Sequence, residues 1–139
     1  MKKIALLIGF LILAGAGVGY YLWNKPHPDL MRIEPAYRLT AQELFDAFES
    51  DENAANATYN GQVVEVQGPV QEVLVEEGAP VKIRLEGGGL LFGVACEMDP
   101  KHSADYAALQ PGTRVTLRGE CAGMLMDVVL TRCVLIAVE

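Results

Sequence analysis

Residues 62–75, QVVEVQGPVQEVLV, decide the fold of this chain. Val64, Val66 and Val70 alternate with polar residues, and this period of two is typical of a half-buried β-strand. Gly68-Pro69 interrupts the pattern: glycine in a strand permits a bend or bulge, and proline removes a donor from the ladder. We therefore predict one long strand, bent in its middle, that lets a single sheet curl and close on itself.

Four further strands are predicted after this bent strand. They cover Val81–Leu85, Leu90–Cys96, Val115–Cys121 and Val128–Val138. Turns rich in glycine separate them, and Asp99-Pro100 predicts a short helix to about Leu109 between the third strand and the fourth. This order predicts a mainly β fold, a five-stranded Greek-key barrel of the OB type.

On the N-terminal side the period changes to that of a helix. Thr40 and Glu43 match a capping box, and Leu44, Phe45 and Phe48 then recur on one helical face. A second short helix is predicted to end near Tyr59. Because the apolar face of the first helix needs a partner, we expect that helix to cap one open end of the barrel.

The first 24 residues are predicted to form a single transmembrane signal anchor. Residues 4–23 carry no charge, are long enough for a bilayer's hydrocarbon core, and end in aromatic residues. Lys2 and Lys3 precede the apolar run, so the rest of the chain should lie outside the cytoplasm. The alternative is a cleaved signal peptide with a site at Ala14-Gly15-Ala16. Gly15 and Gly19 form a GxxxG pair through which two such helices can pack as a homodimer.

The remaining chain divides into a linker, residues 25–38, and a globular domain, residues 39–139. The prolines at 26 and 28 make the linker stiff. Residues 26–139 hold eight of the 11 Lys and Arg, since Lys2, Lys3 and Lys25 are the others, against all 18 Asp and Glu, a net charge of −10. Nucleic-acid binding draws most of its affinity from neutralising phosphates, so this charge opposes that function.

Several segments spread over nearly the whole chain match one bacterial family. They are residues 21–27, 41–48, 51–52, 55–56, 64–70, 93–96, 115–119 and 127–130, together with Tyr59, Cys121, Gly123 and Cys133. In these segments the chain resembles the tRNA-anticodon-domain-like (tRNA_anti-like) OB-fold family of small bacterial signal-anchored proteins and lipoproteins. The resemblance implies an OB fold in an exported, membrane-tethered setting. Together with the apolar run and the lysines before it, this setting predicts a single-pass protein of the bacterial inner membrane with its globular domain in the periplasm. It implies no particular ligand.

The candidate ligand-binding residues are Lys82, Arg84 and Phe92. They lie on the second and third predicted strands, which form the usual binding face of an OB barrel. Lys82 and Arg84 can form a basic stripe with three other arginines, Arg114, Arg118 and Arg132. The alternative interpretation is an ordinary solvated strand face, because the charges alternate with Val81, Ile83 and Leu85.

The three cysteines, Cys96, Cys121 and Cys133, all fall on predicted strands. An odd number permits one disulfide at most, with three pairings, and free buried thiols are the alternative. In the OB strand order Cys133 can neighbour either of the others. His102 follows Cys96 by six residues, but the sequence offers no third group to orient it, so we predict no catalytic residue. No metal site and no cofactor are predicted either.

The leading hypothesis is a non-enzymatic, membrane-anchored binding module for a protein or a small oligomeric ligand. An oligonucleotide-binding protein is the alternative, favoured by the fold and opposed by the charge. A weaker alternative is an envelope redox or stress component that acts through the cysteines.

Overall fold

The computed structural model describes residues 1–102, 106 and 109–139. Its elements, in chain order, are helix α1 (Lys2–Trp23), a 3₁₀ turn (Leu30–Arg32), strand β1 (Tyr37–Thr40), helices α2 (Ala41–Ser50) and α3 (Glu52–Tyr59), strands β2 (Val63–Leu74), β3 (Lys82–Glu86) and β4 (Gly93–Met98), a second 3₁₀ turn (Pro100–His102), and strands β5 (Arg114–Met124) and β6 (Val128–Val138). The predicted helix from Asp99 to Leu109 is observed as the turn at Pro100–His102, and its residues 103–105 and 107–108 lie outside the described residues.

The sheet closes into the predicted barrel. Its strand order is β1-β2-β3-β4-β6-β5, and β2 also pairs with β5. The first half of β2 pairs with β5 as far as Pro69, and the second half pairs with β3 from Val70 onward. The register shifts between Val70 and Glu72, so the irregularity falls just after Gly68-Pro69, where β2 changes partner. The mainly β OB-type fold is therefore confirmed.

Helix α2 covers the barrel in the way the sequence predicts. The Thr40 side chain accepts from the N–H of Glu43, and the Glu43 carboxylate accepts from the N–H of Thr40, which completes the capping box. Leu44, Phe45 and Phe48 are buried in the same core as the barrel strands. The helix thus supplies the apolar layer that closes one end of the barrel.

Two details of the strands differ from the sequence predictions. Strand β1, which pairs in parallel with the first half of β2, was not predicted, because its first two residues fall within the predicted linker and four residues are too few for a clear period. Leu90–Phe92 was predicted as strand but lies in the β3–β4 loop, and β4 begins only at Gly93. The glycines at 87–89 let this loop leave the sheet, and Gly88 has a positive φ of 90°.

Helix α1 is long and apolar enough to cross a membrane, and none of it is buried in the structure. After α1 the linker continues to Asp29. The Asp29 carboxylate accepts a hydrogen bond from the N–H of Met31 at 3.0 Å and lies 3.1 Å from Nε2 of His102. His102 follows the end of β4. The linker therefore reaches the barrel at the end where β4 finishes.

Candidate binding face of the barrel

The outer face of β3 and β4 carries the predicted ligand-binding residues, and Arg84 is at its centre. Arg84 lies between Glu72 of β2 and Ala95 of β4 in the sheet register. Its Nη1 donates to Glu72 Oε2 at 2.7 Å, and its Nη2 lies 3.1 Å from Asp127 Oδ2. The Asp127 side chain is only 12 % exposed, and it also accepts from the Gly93 N–H at 2.8 Å. Two carboxylates therefore hold the Arg84 guanidinium, and this pairing satisfies its charge within the protein.

Of the other two predicted residues, Lys82 shares the outer face of β3 with Arg84, and Phe92 lies in the loop that follows β3. Lys82 is the exposed first residue of β3, and it lies between Leu74 and Glu97 in register. Phe92 belongs to the β3–β4 loop and lines a groove of about 390 Å³ against α2. Neither Lys82 nor Arg84 is among the described residues that line this groove.

The remaining arginines of the predicted basic stripe also pair with carboxylates. Arg114 Nε lies 3.5 Å from Glu139 Oε2, and Arg132 pairs with Glu120. Arg118 donates from Nε and Nη2 to Glu65 Oε2 at 3.1 and 2.8 Å. The four arginines of the stripe that the sequence indicates therefore all form ion pairs with carboxylates of this chain.

Arg118 has a further set of contacts that sequence reasoning missed. Its Nη1 donates to three backbone carbonyls of the linker, those of Leu30 (3.1 Å), Met31 (3.2 Å) and Ile33 (2.8 Å). The side chain is 12 % exposed, and its partner Glu65 is 15 % exposed. A guanidinium can serve so many acceptors because its donors form a rigid planar fork. Arg118 therefore ties the linker to the wall of the barrel, and we call this set of contacts the Arg118 clamp.

Comparison with known proteins places these features in a family. The tRNA_anti-like family model matches residues 1–135. The chain belongs to the tRNA_anti-like family. A crystal structure described as a "putative nucleic acid-binding lipoprotein" from Klebsiella pneumoniae subsp. pneumoniae MGH 78578 is similar, with a TM-score of 0.58 and 17 % identity over 81 % of this chain and 100 % of that chain. At this identity the likeness shows the fold. No curated protein matches the sequence.

The three cysteines of this tRNA_anti-like chain are free thiols inside the barrel, each at most 1 % exposed. Burial, followed by a hydrogen bond with Cys96, raises the pKa of Cys133 well above its ordinary value. Burial also raises the pKa of Cys121. The thiolate is the reactive form, so these shifts oppose reactivity. Cys133 hydrogen-bonds with Cys96, one of the two neighbours that the strand order allowed for it, and the possible disulfide among the three cysteines stays a prediction.

His102 has the orienting partner that the sequence did not reveal. Its Nε2 lies 3.1 Å from Oδ1 of Asp29, 73 residues earlier in the chain. The N–H of Met31, and after it the histidine, hold the pKa of Asp29 below its ordinary value. Cys96, the thiol that the spacing suggested as a partner, is fully buried in the barrel. In this tRNA_anti-like chain the histidine therefore joins the linker to the end of β4.

Proposed function

We propose that this chain is an exported OB-fold module, anchored in the bacterial inner membrane, which binds a protein or a small oligomeric ligand and catalyses no reaction. The observation that carries the proposal is the pairing of Arg84 with Glu72 and Asp127 on the usual ligand face. A face whose central cation is already satisfied by two carboxylates has little attraction for a polyanion. It is better suited to a ligand that is recognised by shape and by apolar contact.

The proposed anchoring rests on helix α1. Its 22 residues span about 33 Å at about 1.5 Å per residue, which matches the hydrocarbon core of a bilayer. Lys2 and Lys3 favour a cytoplasmic N-terminus, and the barrel then lies in the periplasm after a single pass. A Cβ added at Gly15 or Gly19 would meet nothing within 4 Å beyond the adjacent residues and the backbone of α1 itself, which leaves this face of the helix open to a second copy of the helix.

Oligonucleotide binding is the second candidate. It is favoured by the description of the Klebsiella neighbour as nucleic acid-binding and by the fold that the two chains share. OB domains that bind single strands place aromatic side chains for stacking beside basic residues. Here strands β3 and β4 read KIRLE and GVACEM and contain no aromatic residue. The exported part also carries a net charge of −10.

A binding measurement separates the two candidates. The full chain in nanodiscs of uncharged lipid is titrated into fluorescein-labelled dT20 and rU20, at about 20 mM and about 150 mM salt. We expect no change in anisotropy up to about 100 µM protein at either salt concentration, because phosphate contacts should be few. Micromolar binding that weakens with salt, and that is lost in Lys82→Ala/Arg84→Ala, would replace the proposed function with the second candidate.

A further inference from the structure

Two loops at one end of the barrel expose large apolar side chains. The β3–β4 loop exposes Leu90 (95 %), Leu91 (72 %) and Phe92 (39 %), and the β5–β6 loop exposes Leu125 (88 %) and Met126 (69 %). Soluble domains rarely expose several large apolar groups together unless the patch is used for an interaction. We call these five residues the apolar tip.

The two loops lie side by side because of the way β4 and β6 pair. These strands are parallel, and Val94 lies opposite Val128 in register. The residues just before them are also joined, since the Gly93 N–H donates to Asp127 Oδ1 at 2.8 Å. The apolar tip is therefore one continuous surface, because the two loops lead into the paired first residues of β4 and β6.

The groove between the apolar tip and helix α2 is acidic. A groove of about 390 Å³ separates the β3–β4 loop from helix α2. The described residues that line this groove include two carboxylates, Asp46 and Glu49, and no Lys, Arg or His. Both acids are exposed. An apolar centre with a charged rim is the usual anatomy of a protein interface, and here the rim is negative.

The apolar tip also lies at the end of the barrel opposite the linker. β4 begins beside Asp127 and runs to Met98, and His102, four residues further on, contacts Asp29 of the linker. A strand of this length covers about 17 Å. In the proposed anchored arrangement the linker holds one end of the barrel near its membrane, and the apolar tip faces away from it.

From these observations we infer that the apolar tip and its groove bind a positively charged polypeptide segment with an apolar side, contributed by another protein. Negative charge on the rim attracts such a segment. The same charge opposes docking of a second barrel at the apolar tip, because the exported part of each copy carries −10, and it repels anionic lipid. The inference rests on the proposed binding function and specifies the partner that the module recognises.

The test uses the full chain in nanodiscs of uncharged lipid and two synthetic 14-residue peptides, one with Leu and Lys at helical spacing and one with Leu and Glu. We expect saturable binding of the Leu/Lys peptide and at least tenfold weaker binding of the Leu/Glu peptide. Leu90→Ser/Leu91→Ser should weaken binding of the Leu/Lys peptide at least tenfold. Asp46→Lys/Glu49→Lys should reverse the preference between the two peptides.

A matched control exists in the β2–β3 loop at the other end of the barrel, where exposed Val75 is followed by exposed Glu76 and Glu77. The triple change Val75→Ser/Glu76→Lys/Glu77→Lys should leave binding within twofold of the unaltered protein. Equal losses in the control and tip variants would overturn the inference, since the peptide would then bind general negative charge. It would also be overturned if Leu90→Ser/Leu91→Ser abolished self-association or binding to anionic vesicles and left peptide binding intact. If neither peptide bound, the inference would be overturned but the proposed function would not, because the proposed function is tested by the oligonucleotide titration.

Discussion

Gly93→Ala is expected to lower the free energy of unfolding by about 3 kcal/mol, because the strand start has no room for a methyl group. A Cβ at this position would collide with the carbonyl oxygen of Leu85 and lie 3.0 Å from the backbone nitrogen of Gly87. These are backbone atoms of β3 and of the loop after it, so they cannot turn away as a side chain can. The clash can be relieved only by separating β3 from β4, which belong to the closed sheet. Urea denaturation of the full chain in detergent, followed by circular dichroism, measures the effect.

Gly89→Ala is the matched control in the same loop. The nearest atom to a Cβ there, outside the adjacent residues, is the carbonyl oxygen of Phe92 at 3.6 Å, which is an ordinary contact distance. We expect its stability to stay within about 0.5 kcal/mol of the unaltered protein. Equal stabilities for the two variants would mean that β3 and β4 do not approach each other as closely as described.

Arg118→Ala is expected to lower the free energy of unfolding by about 3 kcal/mol and to release the linker from the barrel. The change removes the Arg118 donors from the largely buried Glu65 carboxylate and from the carbonyls of Leu30, Met31 and Ile33. The linker contains Arg32, which is exposed, and a trypsin site must detach from its surroundings to be cut. Cleavage after Arg32, followed by mass spectrometry, should therefore become at least tenfold faster.

Arg38→Ala provides the control for this clamp, since Arg38 approaches the other oxygen of the same glutamate. Its Nε lies 3.6 Å from Glu65 Oε1, and its side chain is 61 % exposed. An exposed ion pair contributes little, so we expect a loss below about 0.5 kcal/mol and unchanged cleavage after Arg32. Arg118→Lys should behave like Arg118→Ala, because an ammonium cannot supply a planar fork of donors. Equal behaviour of Arg118→Ala and Arg38→Ala would contradict the role given to the clamp.

The fold could be predicted where local signals agreed with the final pairing. The alternation around Gly68-Pro69 located β2 and the point where it changes partner, and the Thr40–Glu43 capping box located the start of α2. The run Leu90–Phe92 misled because apolar composition predicts burial, whereas these residues follow three glycines and stay in an exposed loop. Strand β1 was missed because its stability comes from parallel pairing with β2, more than 20 residues away.

The candidate site was harder to predict than the fold, because its charged side chains pair with residues that are far away in the sequence. The alternation of the strands places Arg84 and Arg118 on the outer face of the barrel. It could not reveal that Asp127 lies beside Arg84, or that the linker carbonyls lie beside Arg118. His102 and Asp29 are likewise 73 residues apart. Sequence patterns give the face on which a side chain lies, whereas its neighbours on that face depend on the register of the closed barrel.

The functional account depends most on the barrel lying outside the cytoplasm, attached to the membrane through Lys2–Trp23. Thiol labelling in intact bacteria tests this directly, because the three native cysteines are buried and give little background. With a small membrane-impermeant maleimide we expect Val75→Cys to be labelled in intact cells, and a variant with a cysteine inserted between Met1 and Lys2 only after the inner membrane is permeabilised. Both variants should remain in the membrane fraction after carbonate extraction. Labelling in the reverse order, or release of the chain by carbonate, would contradict the account.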